Sequence, residues 1–267
     1  MKKAARFLVI GLLFTSLAFL LLGCGGEKES VGSADNSGVS ENGKKKLVVG
    51  TDATYAPMEY MDSNGKIVGI DIDIVKAIAE EIGAEVEFKN YGWDPLFPAV
   101  KNGEVDFAVS SITITDERKQ EYDFTDPYYV ANQLILVPED SKVEKFKDLA
   151  DKRVSVQINT TGHIAVKELL GKSSSNIVAA ESMPLAIEEM LNGNAEASVG
   201  DNSVVNGYMK NNPDKPLKVI EDDSFEKEYY ALMVKKGNQE LVDLLNEGIQ
   251  KIKDNGKLKE ITGFDVE

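Results

Sequence analysis

The chain has 267 residues, with 30 Lys and Arg against 45 Asp and Glu, and a formal net charge of -15. Such an acidic surface excludes nucleic acid and anionic membrane surfaces as natural partners, and the length admits one large domain or two smaller lobes with separate cores. The lone cysteine, Cys24, rules out an internal disulfide, and with His163 the only histidine there is no His/Cys cluster to hold a metal.

Lys2, Lys3 and Arg6 precede a nearly continuous apolar run, Phe7–Leu22, and the small residue Gly23 stands before Cys24. This is the pattern of an export signal over 1–23, and the run is short for a membrane span. Leu21-Leu22-Gly23-Cys24 resembles a bacterial lipobox. That resemblance implies that Cys24 becomes the lipid-modified first residue of an extracytoplasmic lipoprotein. Residues 24–45 are rich in Gly, Ser, Asn, Glu and Lys without an apolar period. They read as a disordered tether with a reach on the order of 25 Å.

Lys46–Gly50 reads as an apolar strand and Thr51–Tyr60 as a loop carrying Asp52, Tyr55 and Glu59. Ile74, Ile78 and Ile82 recur at helical spacing up to Gly83. Val86 and Phe88 alternate on a second strand. Trp93 lies in the loop after it, and Asp94-Pro95 opens a short helix. Glu104–Ser110 is a third strand. This order gives a mainly parallel sheet covered by helices, with ligands expected at the carboxyl ends of its strands. The third strand runs into Ser110, Ser111, Thr113 and Thr115, and then into a helix capped by Thr115 with Arg118 in it. Exposed hydroxyls, free amides and one guanidinium fork suit a small carboxylate, although an ordinary strand-to-helix corner has the same look.

The grammar then restarts. Val130–Val137 is extended, and Val154, Val156 and Ile158 alternate. Thr160-Thr161-Gly162 begins a helix that ends at Gly171. Ile177–Ala180 is a strand, Pro184–Leu191 a helix, Ala195–Gly200 a strand of small residues, and Asn202 to about Lys210 a helix after Asp201. Leu217–Ile220 and Tyr229–Val234 are extended, and Gln239–Ile261 is helical with an interruption near Gly256. Free amides at Thr160-Thr161 favour an anion, though Thr160 also suits plain capping. Asp201 ends an apolar strand, where a carboxylate needs a partner, though it too is a good helix cap. His163 reads as a solvated first-turn residue.

"SSITITDERKQEYDFTDPYY" at 110–129, "TDATYAPMEYMDSNGKIVGIDIDIVKAIAEEIG" at 51–83, "YGWDPLFPAVKNGEVD" at 91–106 and "VSVQINTTG" at 154–162 together resemble the extracytoplasmic solute-binding proteins of polar amino-acid ABC importers, family 3. The resemblance runs from about Lys46 to the C-terminus. It implies a two-lobed α/β fold, the type II periplasmic-binding-protein fold, with lobe 1 at 46–130 plus 229–267 and lobe 2 inserted at 131–228. Two hinge strands, near Tyr128–Asn132 and Phe225–Tyr229, join the lobes. It implies an L-amino acid held in the cleft by Ser110, Ser111, Thr113, Arg118, Thr160 and Thr161 around its carboxylate end and by Asp201 at its α-ammonium. Asn159 stands where the family usually has Gly. Tyr55 and Trp93 then flank the ligand side chain and Asp52 faces its tip. Aromatic faces and a carboxylate suit a cation, so arginine is expected, then lysine or histidine. Gln157 keeps glutamine open as an alternative, and a cyclohexadienyl-dehydratase-like enzyme is a further one. No catalytic residue, cofactor or metal is expected. The implied partners are an ABC permease and, through the lipid, the cell membrane, with the protein itself a monomer.

Overall fold

The computed structural model describes residues 43–266. The export signal, Cys24 and the tether up to residue 42 lie outside the described residues.

The chain opens with β1 (Lys46–Thr51), followed by three short strands, β2 (Thr54–Tyr55), β3 (Glu59–Met61) and β4 (Ile67–Val68). Next come α1 (Ile70–Glu81), β5 (Glu85–Asn90), α2 (Trp93–Asn102), β6 (Phe107–Ala108), α3 (Asp116–Glu121) and β7 (Tyr122–Phe124). Strand β8 (Tyr129–Ala131) leads into β9 (Gln133–Pro138), then β10 (Val154–Gln157), α4 (Thr161–Leu170), β11 (Ile177–Ala180) and α5 (Met183–Leu191). After β12 (Ala197–Asp201), α6 (Asn202–Asn211) and β13 (Leu217–Ile220), β14 (Glu228–Tyr230) leads into β15 (Met233–Lys235), and α7 (Gln239–Asp254) and α8 (Lys257–Thr262) close the chain.

Two five-stranded sheets result, β5-β1-β6-β15-β7 and β11-β10-β12-β9-β13. In each, four strands point one way and one is reversed: β15 in the first, β9 in the second. The reversal follows from the route of the chain. β8 and β14 pair antiparallel as a separate two-stranded ribbon, and each feeds directly into the reversed strand of the lobe being entered. A chain arriving from the cleft must run against strands that end there. The ribbon's register, with Glu228 opposite Ala131, puts Glu228 and Gln133 at the same end of it, beside the strand ends of the cleft.

The first sheet is covered by α1 and α7, whose apolar faces meet in one core of Ile72, Ile74, Val75 and Ile78 against Leu241, Leu245, Ile249 and Ile252. Periods of three and four along both helices bury these positions and leave charge outside. Gly248 lets the helices close, since a Cβ there would lie 2.7 Å from Ile78 Cγ2. Across the cleft, the backbone of α6 at Gly207 lies flat on the first lobe: a Cβ would meet Pro57 Cδ at 2.6 Å and the Ala56 carbonyl at 3.3 Å.

Three local expectations differ. The stretch 51–60 is not a plain loop, because β2, β3 and β4 form a small antiparallel sheet whose two- and three-residue strands carry no visible alternation. The third strand of the first sheet shrinks to Phe107–Ala108, although Asp106 and Val109 still donate to the Val48 and Gly50 carbonyls. Helix α2 begins at Trp93 with Gly92 as its cap, so Trp93 is a first-turn residue rather than a loop residue.

Candidate functional site

The first wall is built where β1 and β6 end. Asp52 follows β1 directly and is buried. Its N–H donates to Ser110 Oγ at 2.9 Å, and Ser110 Oγ donates in turn to Glu59 Oε1 at 2.9 Å. Ser111 is left-handed, with φ of 49°, a cost of about 1–3 kcal/mol that surrounding bonds must hold. Its N–H donates to Asp71 Oδ2 at 2.7 Å, and its hydroxyl faces Glu59 Oε2 at 3.3 Å. Tyr128 also donates to Asp71 Oδ2, at 2.9 Å. Asp71 Oδ1, also buried, has no hydrogen-bond partner among the described residues. Burial and the adjoining Asp71 push Glu59 well above the usual carboxylate range, and burial lifts Asp71 to about 6. The serine corner thus rests on two buried acids whose surroundings favour their protonated forms.

Arg118 enters from α3. The Thr115 hydroxyl caps that helix by accepting from the Arg118 N–H at 3.1 Å. The guanidinium packs 5.4 Å from the ring centres of both Trp93 and Phe97. Nη1 donates to the Thr113 carbonyl at 2.8 Å. Among the described residues it forms no ion pair. Burial lowers its pKa, while the charges of Glu228 and Asp201 act the other way.

The facing wall comes from the second lobe. Gln157, at the end of β10, donates through Nε2 to Asp52 Oδ2 at 3.3 Å and to the Glu181 carbonyl at 3.3 Å. Asn159 is left-handed, with φ of 57°, a conformation Asn tolerates better than most residues. It ties the lobes together: its carbonyl accepts from Trp93 Nε1 at 3.3 Å and Arg118 Nη2 at 3.4 Å, and its side chain donates to Asp94 at 3.0 Å. Its N–H donates to His163 Nδ1 at 2.9 Å. His163 is therefore buried and accepting, not the solvated residue its position suggests, and burial lowers its pKa. The Thr160 hydroxyl caps α4, donating to the Gln157 carbonyl at 2.8 Å and accepting from the His163 N–H. The first turn of α4 thus offers a ligand its amides rather than that hydroxyl.

Asp201 caps α6 by backbone position only. Its carboxylate turns away from the helix, to the Gln133 amide and the hydroxyls of Tyr230 and Tyr55. Burial, reinforced by the charge of Glu228, pushes it up to about 6.

Together these residues line one pocket between the facing strand ends. Asp52, Tyr55, Trp93, Ser110, Ser111, Thr113, Arg118, Gln157, Thr160, Thr161 and Asp201 all line it, and Glu59 completes the wall. The sequence reading did not single out Asp71, Gln133, Tyr230 or Glu228. Two of them carried a signal. Asp71 lies at helical spacing from Ile74, Val75 and Ile78, so it is an acid on an apolar stripe. Glu228 alternates with Tyr230 on one strand face. Among the described residues no group of His, Cys, Asp and Glu is placed to hold a metal ion, and no helix is long and apolar enough to cross a membrane.

Residues 47–263 match the family model of the bacterial extracellular solute-binding proteins, family 3. A probable histidine-binding protein of Neisseria gonorrhoeae is 38% identical over 246 residues, covering 91% of this chain and 90% of that protein. The arginine-binding extracellular protein ArtP of Bacillus subtilis is 34% identical over 261 residues, covering 98% and 96%. The arginine-, lysine-, histidine-binding protein ArtJ of Geobacillus stearothermophilus superposes with a TM-score of 0.79 at 46% identity, covering 84% of this chain and 97% of that structure. Two sheets with one reversed strand each, a two-stranded ribbon between them and a polar cavity at their facing edges are the architecture of a type II periplasmic binding protein, and the chain belongs to the bacterial extracellular solute-binding proteins, family 3.

Proposed function

We propose that the chain captures an L-amino acid between its lobes, with arginine preferred and lysine or histidine next, and presents it to the permease of an ABC importer. One observation carries this reading. Arg118 has no carboxylate partner among the described residues, in a cavity wall that otherwise holds Asp52, Glu59 and Asp201. A zwitterion answers both signs: its carboxylate goes to Arg118 and the first-turn amides of α4, its ammonium to Asp201.

The side chain then reaches Asp52 and Gln157 between Tyr55 and Trp93. Both amide hydrogens of Gln157 are engaged, so this end presents only acceptors, the Asp52 carboxylate and Gln157 Oε1. A guanidinium brings only donors. The amide of glutamine would bring a carbonyl oxygen with no donor to meet it, a loss of about 1–3 kcal/mol. The relatives named for histidine and arginine support the same choice. Competition calorimetry should find arginine at least about tenfold tighter than glutamine, and Asp52→Asn should narrow that gap. Glutamine binding more tightly to the wild type would remove the cationic reading and leave amino-acid capture standing.

Residues 46–130 with 229–267 and residues 131–228 would move as lobes about the β8–β14 ribbon, the ligand shifting an open–closed equilibrium. Residues 1–23 would be removed and Cys24 lipidated, holding the chain at the outer face of the cell membrane as a monomer. Mass spectrometry of the mature protein should find diacylglycerol on Cys24, and Cys24→Ala should release the protein from membranes with ligand binding intact. An unlipidated mature wild type would end the anchor reading.

The dehydratase alternative has one observation in its favour, the buried Glu59 in the pocket wall, whose burial pushes its pKa well above the usual carboxylate range. Its carboxylate oxygens are bonded by the Ser110 and Ser111 hydroxyls rather than aimed at a ligand, so we read the chain as a binding protein and not an enzyme. Consumption of prephenate or arogenate by the purified protein would reverse that.

A further inference from the structure

Glu228 does not line the cavity, yet its carboxylate commands two hydroxyls that do. Thr113 Oγ1, from the first lobe, donates to Glu228 Oε2 at 2.6 Å. Thr161 Oγ1, from the second, donates to the same oxygen at 2.8 Å. A carboxylate only accepts, so both hydroxyl protons must point at Glu228 and away from the cavity. What Thr113 turns towards a ligand is lone pairs, and Thr161 Oγ1, which also accepts from Gln133 Nε2 at 3.1 Å, keeps one more lone pair for it. A third donor, Gln133 Nε2, lies 2.8 Å from Glu228 Oε1 and also bonds Asp201 Oδ1. Gln133 is buried and its amide sits as a bridge between two carboxylates that would otherwise repel. The other groups near Asp201, the hydroxyls of Tyr230 and Tyr55, are donors already spent on it.

The geometry points to Glu228 as a positioning residue for ligand specificity: by fixing the donor direction of the Thr113 and Thr161 hydroxyls beside Asp201, it makes that corner of the cleft accept hydrogen bonds only and so demand a free α-ammonium. The inference rests on the amino-acid-binding reading above. It separates two roles that hydroxyls in such a corner could play. A free Thr hydroxyl adapts, donating to a carboxylate or accepting from an ammonium. Here both are set to accept, which leaves Arg118 and the α4 amides as the donors for the ligand's carboxylate. The excess negative charge of Asp201 and Glu228 favours the same choice, since an ammonium relieves their repulsion and a neutral group does not.

The test compares L-arginine with 5-guanidinopentanoic acid, which lacks only the α-amino group, by calorimetry on wild type, Glu228→Gln and Glu228→Ala. Wild type should prefer L-arginine by at least about a hundredfold, the difference made by one charge-assisted ammonium site. Glu228→Ala frees both hydroxyls to turn their protons inward, and the preference should fall by at least about tenfold; Glu228→Gln, which keeps one accepting oxygen but loses the charge, should lie between that and wild type. The loss should fall on L-arginine, with the des-amino acid bound as well as before or better. Thermal unfolding of the unliganded variants checks that they fold. A preference within about threefold of wild type in both variants, or an equal weakening of both ligands, would overturn the inference and leave Glu228 a plain interlobe tie. Wild type that binds neither arginine nor any other amino acid would instead bring down the reading on which it rests.

Discussion

Arg118→Ala should weaken every amino-acid ligand by at least about a hundredfold while changing folding little. In the proposed complex the side chain supplies two bonds to a ligand carboxylate, and truncating one partner of such a pair costs about 2–5 kcal/mol, where 1.4 kcal/mol is tenfold. Its loss leaves the ligand's carboxylate with only the α4 amides. Folding is spared because the guanidinium's own bonds are to two carbonyls, of Thr113 and Asn159, and to the faces of Trp93 and Phe97. Lys at this position should restore little, since an ammonium lacks the planar fork. Calorimetry that gives the variant wild-type affinity would remove Arg118 from the site.

Asp201→Asn should cost at least about thirtyfold in affinity, at the low end of the same 2–5 kcal/mol range, and should also flatten the pH dependence of binding. Without ligand, Asp201 holds its proton up to about pH 6. The α-ammonium needs the ionised form, so binding must expel a proton in acid. Affinity should therefore fall about tenfold between pH 7 and pH 5, one decade for the unit below the pKa. The unliganded protein should move the opposite way. Its native Asp201 and Asp71 titrate near 6 and release their protons at about 3.8 when unfolded. Between those values the native chain binds more protons, so its stability falls as pH rises through about 4 to 6. Titration calorimetry and thermal unfolding at pH 5, 6 and 7 read both trends. An affinity independent of pH in the wild type would exclude Asp201 as the ammonium's partner.

Much of this was legible because the chain writes its binding edge in local signals. Thr115 and Thr160 announce helix starts, and both cap as their sequence suggests. Asp52 and Asp201 follow apolar strands immediately, which fixes them at sheet edges whatever the rest of the fold does. The supporting layer is different in kind. Glu59 and Asp71 meet through a turn of the small sheet β2-β3-β4, whose strands are too short to alternate. Gln133 and Glu228 stand 95 residues apart and come together only because β8 and β14 pair. Alternation with Tyr230 sets Glu228 on one strand face, but nothing in that spacing tells its partners, Thr113, Thr161 and Gln133. The reach of a carboxylate into a site through a second residue is a property of the folded ribbon, and it cannot be read from spacing.

The flat seat of Gly207 on Pro57 has a mechanical meaning. Two surfaces already in van der Waals contact cannot be pressed closer, so lobes that close as proposed would meet a hard stop here. The volume left between them is then set by the frame and not by the guest. A ligand too short to span from Arg118 to Asp52 gains nothing from a tighter grip, because the lobes have no further travel. It leaves unfilled space whose lining forfeits dispersion contacts, and one too long props the jaws ajar before the Asn159 bridge to Trp93 and Arg118 can form. If the lobes close on a ligand as proposed, the bare backbone at Gly207 would act as a gauge block, and length discrimination among amino acids would be built into a place that no ligand touches.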